Sequence, residues 1–260
     1  MKANALITVV LSLALTGCAA HYVTPGRGAD FKQIDLTEEA RRNGTDWEVR
    51  SSLDKRPLAS FPTAIAVARI QDTGYSSRTC SSWGAGKYSI VTTRDVEKDE
   101  QLARLSRLPL ISGIAQMNRL LLPADLQSDV PLREAAAKLH ADMLLIYTFD
   151  TTFLEDQKAA PVSVITLGLS PTKTVDVMTT ASAALLDTRN GYIYGLAEAS
   201  ARREKLTTSW ATEDTIDSAR QKNEEEAFGK LVTELEKTWT GVVNQYAVRP
   251  TGQGIPQGQP

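Results

Sequence analysis

The second half of the chain carries the pattern that most restricts its fold. Val162 to Leu169, Thr174 to Leu186 and Tyr192 to Ala201 read as three long strands, and Glu213 to Gln245 reads as one long helix. Along the middle strand Val175, Val177, Thr179, Ala181, Ala183 and Leu185 recur at every second position and so share one face. Asn190-Gly191 between the last two strands is a hairpin signal, because both residues tolerate positive φ. On the helix, Phe228, Leu231, Val232, Leu235, Trp239, Val242 and Val243 form an apolar stripe about 100° wide. A half-buried sheet beside a one-sided helix is solved by packing the stripe on the sheet.

Upstream, Ala64 to Ile70 is a short apolar run between Pro62 and Gly74, suited to a strand buried on both faces. Residues 71 to 86 are loop-like, and Lys87 to Thr93 has the β-branched and aromatic content of a second strand. Asp95 to Arg107 has helical spacing closed by Pro109, and Ile111 to Leu122 is read as a strand. Ser128 or Asp129 caps a helix with Pro131 in its first turn and Leu132, Ala135, Ala136 and Leu139 on one face. Met143 to Tyr147 follows as a buried strand. The expected fold class is α/β, mixed α+β: a mixed sheet with flanking helices, a long antiparallel hairpin and a C-terminal amphipathic helix.

The N-terminus supplies an address. Met1-Lys2 leads into Ala3 to Leu15, which is apolar except for Asn4, Thr8 and Ser12. That run is shorter than the roughly 20 residues a spanning helix needs. A basic start, a short apolar run and small residues before a cut site mark a secretory signal peptide. The run ends in Leu15-Thr16-Gly17-Cys18, which resembles the lipobox of bacterial lipoprotein precursors. The resemblance implies cleavage before Cys18, a diacylglyceryl group on its sulfur and an acyl chain on the new amine. Two or more chains hold a protein firmly to a bilayer, where one does not. Ala19 in place of Asp implies sorting to the outer membrane, as in Gram-negative lipoproteins. Beyond these covalent chains no cofactor is expected.

The domain plan that follows is a signal peptide at 1–17, the lipidated Cys18 with a tether at 18–62, a single domain at 63–246, and a Gly/Pro/Gln tail at 247–260. The tether includes a short helical candidate at Leu36 to Arg42. As a flexible coil of about 40 residues it spans roughly 35 Å, and about 140 Å when extended. Loss of Lys2 with the signal peptide makes the mature chain one charge more negative than −2. Such a balance creates no field favouring nucleic acid.

Catalytic patterns are weak. His21 and His140 match no zinc spacing. Gly84-Ala85-Gly86-Lys87 lacks the first glycine and the magnesium-binding hydroxyl of a phosphate loop, since Ser81 and Tyr88 stand at those places. Ser52-Leu53-Asp54-Lys55 has the Ser-x-x-Lys spacing of penicillin-binding proteins without their other motifs. Neither a metal nor a catalytic centre is expected, and an envelope hydrolase is the remotest reading. The candidate site is instead a partner-binding loop with Tyr75, Arg78, Cys80 and Trp83, residue types enriched at interfaces. With Cys18 acylated, Cys80 has no disulfide partner within the chain. It is then either buried and inert or free to pair with another chain, and its polar neighbours favour the surface.

Ala64-Ile65-Ala66-Val67, the Leu132 to Ile146 helix-strand unit with Ala141-Asp142, and Leu186-Asp187-Thr188-Arg189-Asn190-Gly191 loosely resemble a group of bacterial envelope domains. The group includes the curli secretion channel subunit, the N-terminal domain of the Tol–Pal translocation protein and the lipoprotein activator of penicillin-binding proteins. The resemblance implies an outer-membrane lipoprotein facing the periplasm that binds an envelope protein or peptidoglycan. A curli-type channel subunit is the alternative, and homo-oligomers are left open.

Overall fold

A computed structural model describes residues 28–29, 45–156, 172–208 and 213–247. Helix α1 (Thr45–Asp54) precedes strand β1 (Thr63–Gln71), and the short strands β2 (Ala85–Gly86) and β3 (Ser89–Val91) follow. Helix α2 (Asp99–Ser106), strand β4 (Ile111–Gln116), a 3-10 turn at Arg119–Leu121 and strand β5 (Asp125–Leu126) come next. Helix α3 (Val130–Lys138), strands β6 (Met143–Asp156), β7 (Thr172–Asp187) and β8 (Ile193–Thr208), and helix α4 (Glu213–Val242) complete the order.

The protein has a mixed α/β fold. The main sheet runs β3-β1-β6-β7-β8, and β4 also pairs with β1. β1 is parallel to β4 and β6, and β6, β7 and β8 are antiparallel. β1 is buried on both faces because each face has its own cover. On one face Ile65, Val67, Leu145, Phe149, Ala181 and Leu185 meet Phe228, Leu231, Leu235 and Trp239 of α4, with Leu105 of α2. The Trp239 indole N–H donates to the carbonyl of Pro109 at 2.8 Å, which gives its polar end a partner. On the other face Ala66, Ala68, Ile70, Leu144 and Ile146 meet Leu132, Ala135 and Ala136 of α3 and the apolar residues around β5.

Val177, Thr179, Ala181, Ala183 and Leu185 are all buried on one face of β7, as the alternation requires. His140, just past α3, takes a left-handed φ of 56° while the N–H of Ala141 donates to Ala136 at 3.0 Å. It is a helix-ending residue.

Several elements differ from the sequence expectation. Asp95 to Lys98 stay out of α2, because the Asp95 and Glu97 carboxylates turn inward to Arg69. The strand expected over Ile111 to Leu122 stops at Gln116, and Arg119–Leu121 form a 3-10 turn with the Asn118 side chain accepting from the Leu120 N–H at 3.0 Å. At the β7–β8 turn, where Asn190 and Gly191 were both expected to tolerate positive φ, the Gly191 N–H donates to Asp187, and Gly191 alone takes positive φ, at 70°. Asn190 works through its side chain, accepting from Tyr192 at 2.9 Å and donating to the carbonyl of Arg56 at 2.7 Å.

The stretch expected to be tether contains α1, and parts of it dock on the domain. Gly28 bridges to Gln71, and the N–H of Ala29 donates to Thr148 Oγ1 at 2.9 Å. The N–H groups of Leu58 and Ala59 donate to Asp187 Oδ2 and to the Tyr194 hydroxyl at 2.7 and 2.9 Å. The helical candidate at Leu36 to Arg42, the strand candidate at Val162 to Leu169, the signal peptide and the tail from residue 248 lie outside the described residues.

Candidate functional site

The loop after β1 was expected to offer four side chains to a partner, and the structure divides them. Tyr75 is 1% exposed and Cys80 7%, so neither reaches the surface. Arg78 is exposed, and Trp83 is 38% exposed. The correction for Tyr75 and Cys80 has a physical cause: both belong to a buried ionic network that the sequence reading missed.

The network begins at Arg69, the one charge in the apolar run of β1. It is 3% exposed and faces α4. One guanidinium nitrogen donates to Asp95 at 2.8 Å and lies 3.3 Å from Glu97, and the other donates to the Tyr75 hydroxyl at 2.8 Å. Its carbon stands 4.7 Å from the centre of the Phe149 ring. From α4, the fully buried Arg220 donates to Asp217 at 2.9 Å, to Glu224 at 2.5 Å and to Asp95 at 3.2 Å. The Thr79 hydroxyl donates to Asp95 at 2.7 Å, that of Tyr147 to Glu97 at 2.9 Å, and that of Thr151 to Glu224 at 2.9 Å.

Two guanidinium groups thus share four carboxylates, with tyrosine and threonine hydroxyls donating to three of them, while Arg69 Nε is buried without a partner. Pairing of this kind offsets much of the cost of burying the charges. Burial raises the Asp95 carboxyl, but Arg69, the Thr79 hydroxyl and Arg220 outweigh it and hold the group at about 2. Burial pushes the Glu224 carboxyl upward against the pull of Arg69 and Arg220. Burial also pushes up the Cys80 thiol, opposed by Arg69, and the Tyr75 hydroxyl. A buried thiol held in its neutral form is a poor nucleophile. Among the described residues no group of three or more His, Cys, Asp and Glu is arranged to hold a metal ion. The network binds the loop, the 92–98 segment and the first half of α4 to the sheet.

What remains at the surface is a small apolar and cationic patch. Trp83 pairs through its backbone with Ile90, donating at 2.7 Å and accepting at 2.8 Å. The Arg119 guanidinium carbon lies 5.6 Å from the centre of the Trp83 ring. Beside it Leu120, at the tip of the 3-10 turn, is 87% exposed while Leu122 is buried. Arg119 and Leu120 were not anticipated, since the reading of that stretch as a strand gave them no reason to project. Ser52 stands exposed on α1, and Cys18 lies outside the described residues.

No family model and no curated protein matches the chain. Among solved structures it is similar to a neuraminyllactose-binding hemagglutinin homolog from Helicobacter pylori, at 11% identity over 74% of this chain and 94% of that one, with a TM-score of 0.34. A protein of the DUF330 family from Xanthomonas campestris matches at 15% identity over 75% and 91% of the two chains, with a TM-score of 0.28. The lipoprotein GNA1162 from Neisseria meningitidis matches at 13% identity over 64% and 99%, with a TM-score of 0.28. At these scores the likeness carries no functional inference.

Proposed function

We propose that the protein is a lipid-anchored, non-enzymatic component of the bacterial envelope. It is held on the periplasmic side of the outer membrane by Cys18, and its domain binds an envelope protein or a cell-wall component. The observation that carries this reading is Leu15-Thr16-Gly17-Cys18 at the end of a short apolar run behind Lys2. The architecture supports a binding role over a catalytic one. Its buried arginines and the carboxylates around them are engaged with one another in the core. No helix among the described residues is long and apolar enough to cross a membrane.

The secretion-channel alternative has one observation behind it, the length of β6, β7 and β8, since a spanning strand needs about 9–11 residues. One face of these strands is covered by α4, and the other face of β6 is covered at Leu144 and Ile146 by α3. The test is metabolic labelling with palmitate. The wild type is expected to take up label, be cut before Cys18 and float with membranes, and Cys18→Ser to do none of these. Equal processing and flotation of the two would overturn the proposal. A ring stable to detergent extraction would favour the channel.

A further inference from the structure

We infer that the Trp83–Arg119–Leu120 patch is a membrane-contacting surface, seated on the headgroup region of the same bilayer that receives the Cys18 lipid. The inference rests on the lipoprotein reading and adds which face of the domain meets the lipid.

The argument is one of chain length. Gly28 and Ala29 are fixed to the domain by the bridge to Gln71 and the bond to Thr148, and Ala29 is 7% exposed. Only nine residues, ten Cα–Cα steps, therefore separate the acylated Cys18 from a fixed point. Fully extended they span at most about 35 Å. As a flexible coil they average roughly 17 Å. A domain of about 200 residues has a radius of gyration near 16 Å, hence a diameter of roughly 40 Å. The domain is thus held against the membrane, with the side that carries Gly28 turned toward it.

That side also bears the patch, by two independent placements. Ala29 packs in the same apolar layer as Ile70, Leu122 and Leu126, which is the sheet face opposite α4. Gly28 sits at Gln71, and Trp83 pairs with Ile90, which pairs with Ile70, so both lie at the C-terminal end of β1. The N–H of Met117 donates to Val67 at 2.9 Å, and the chain then runs to Arg119–Leu121 toward the same end. The residue types suit the interface: an aromatic ring settles at headgroup depth, an arginine meets phosphates, and a leucine enters the acyl boundary.

The test uses the mature lipidated chain reconstituted in vesicles of phosphatidylethanolamine and phosphatidylglycerol with brominated acyl chains. An environment-sensitive fluorophore is placed by Leu120→Cys or, as the control on the exposed side of α4, by Lys237→Cys. Cys80 is buried and Cys18 acylated, so neither native thiol competes. The label at 120 is expected to be quenched several-fold more than that at 237. Hydrogen exchange of the unlabelled protein should show slowing at 81–84 and 118–122 on vesicles, which guards against a label artefact. Equal quenching at the two sites, or unchanged exchange at the patch while the protein stays on vesicles, would overturn the inference and leave the lipid anchor standing. A photocrosslinker at 120 that captures an envelope protein in cells and no lipid would also overturn it. A chain that carries no acyl group and fails to float would remove both readings.

Discussion

Replacing Arg220 by Met should destabilise the protein severely, and the reason can be read from its contacts. Arg220 is 0% exposed and touches three carboxylates, those of Asp217, Glu224 and Asp95. A methionine fills similar space without charge and leaves Arg69 as the only guanidinium among four buried carboxylates. Removing one partner of a buried pair costs about 3–5 kcal/mol, because the survivor stays buried and uncompensated. With three partners stranded, the upper half of that range is expected. For a domain of 150–250 residues each kcal/mol lowers the Tm by roughly 2–4 °C, so the expected fall is about 8–20 °C. The assay is thermal and urea unfolding of the mature chain in mild detergent. Arg104→Ala serves as the control, because the Arg104–Glu236 pair is half exposed and worth at most about 1 kcal/mol. If the cause is stranded charge, the combined Arg220→Met, Asp217→Asn, Glu224→Gln variant should recover most of the loss. A single-variant loss below about 1 kcal/mol, or a combined variant no more stable than the single one, would refute the reasoning.

The network should also show in acid. The folded-state pKa of Asp95 lies near 2, below its ordinary 3.8, so its ionised form stabilises the fold above pH 3.8, and that contribution is lost as pH falls toward 2. Stability profiles of Asp95→Asn should lack this step, and an unchanged acid limb would count against the assignment. Gly86 has a φ of 105°, and a Cβ there would stand 2.5 Å from the carbonyl oxygen of Leu126. Gly86→Ala should therefore cost roughly 1–3 kcal/mol in urea unfolding, and a neutral result would show that β2 and β5 do not hold each other. Cys80 should react with a maleimide only as fast as the protein opens, and rapid alkylation under native conditions would contradict its burial.

Much of the fold was legible because the relevant signals are periodic. β1, β7 and α4 announce themselves through runs and alternations that one face of a core requires, and the mixed sheet with a covering helix follows from them. The elements that were misread are those in which a tertiary contact overrides a local pattern. Asp95 to Lys98 fit a helical spacing, yet the attraction of two carboxylates to Arg69 keeps them out of the helix. Asn190 satisfies its backbone neighbours through its side chain, so it has no need of positive φ. The ionic network left a trace that periodicity could have caught. Asp217, Arg220 and Glu224 continue the Phe228, Leu231, Leu235 stripe backward at spacings of three and four, which places charges on the core face of α4. Arg69 interrupts a buried strand in the same way. Their mutual proximity, by contrast, depends on how α4 crosses β1, which no local pattern encodes.

The same network explains why the surviving surface residues sit on a firm support. The loop between β1 and β3 is pinned near its start by Arg69 to Tyr75, in its middle by Thr79 to Asp95 and by the Ser77 N–H to the Cys80 carbonyl, and at its end by the paired backbones of Trp83 and Ile90. Ordering a rotamer-rich side chain on binding costs about 0.5–1.5 kcal/mol, and ordering a loose loop adds to that. With the backbone already held, Trp83 owes only its own side-chain freedom, and the Arg119 stack reduces even this. Tyr75 and Cys80 therefore serve the surface without reaching it. Their burial gives the loop its rigidity, and the docked Gly28–Ala29 pair lies at the same end of β1 as that loop.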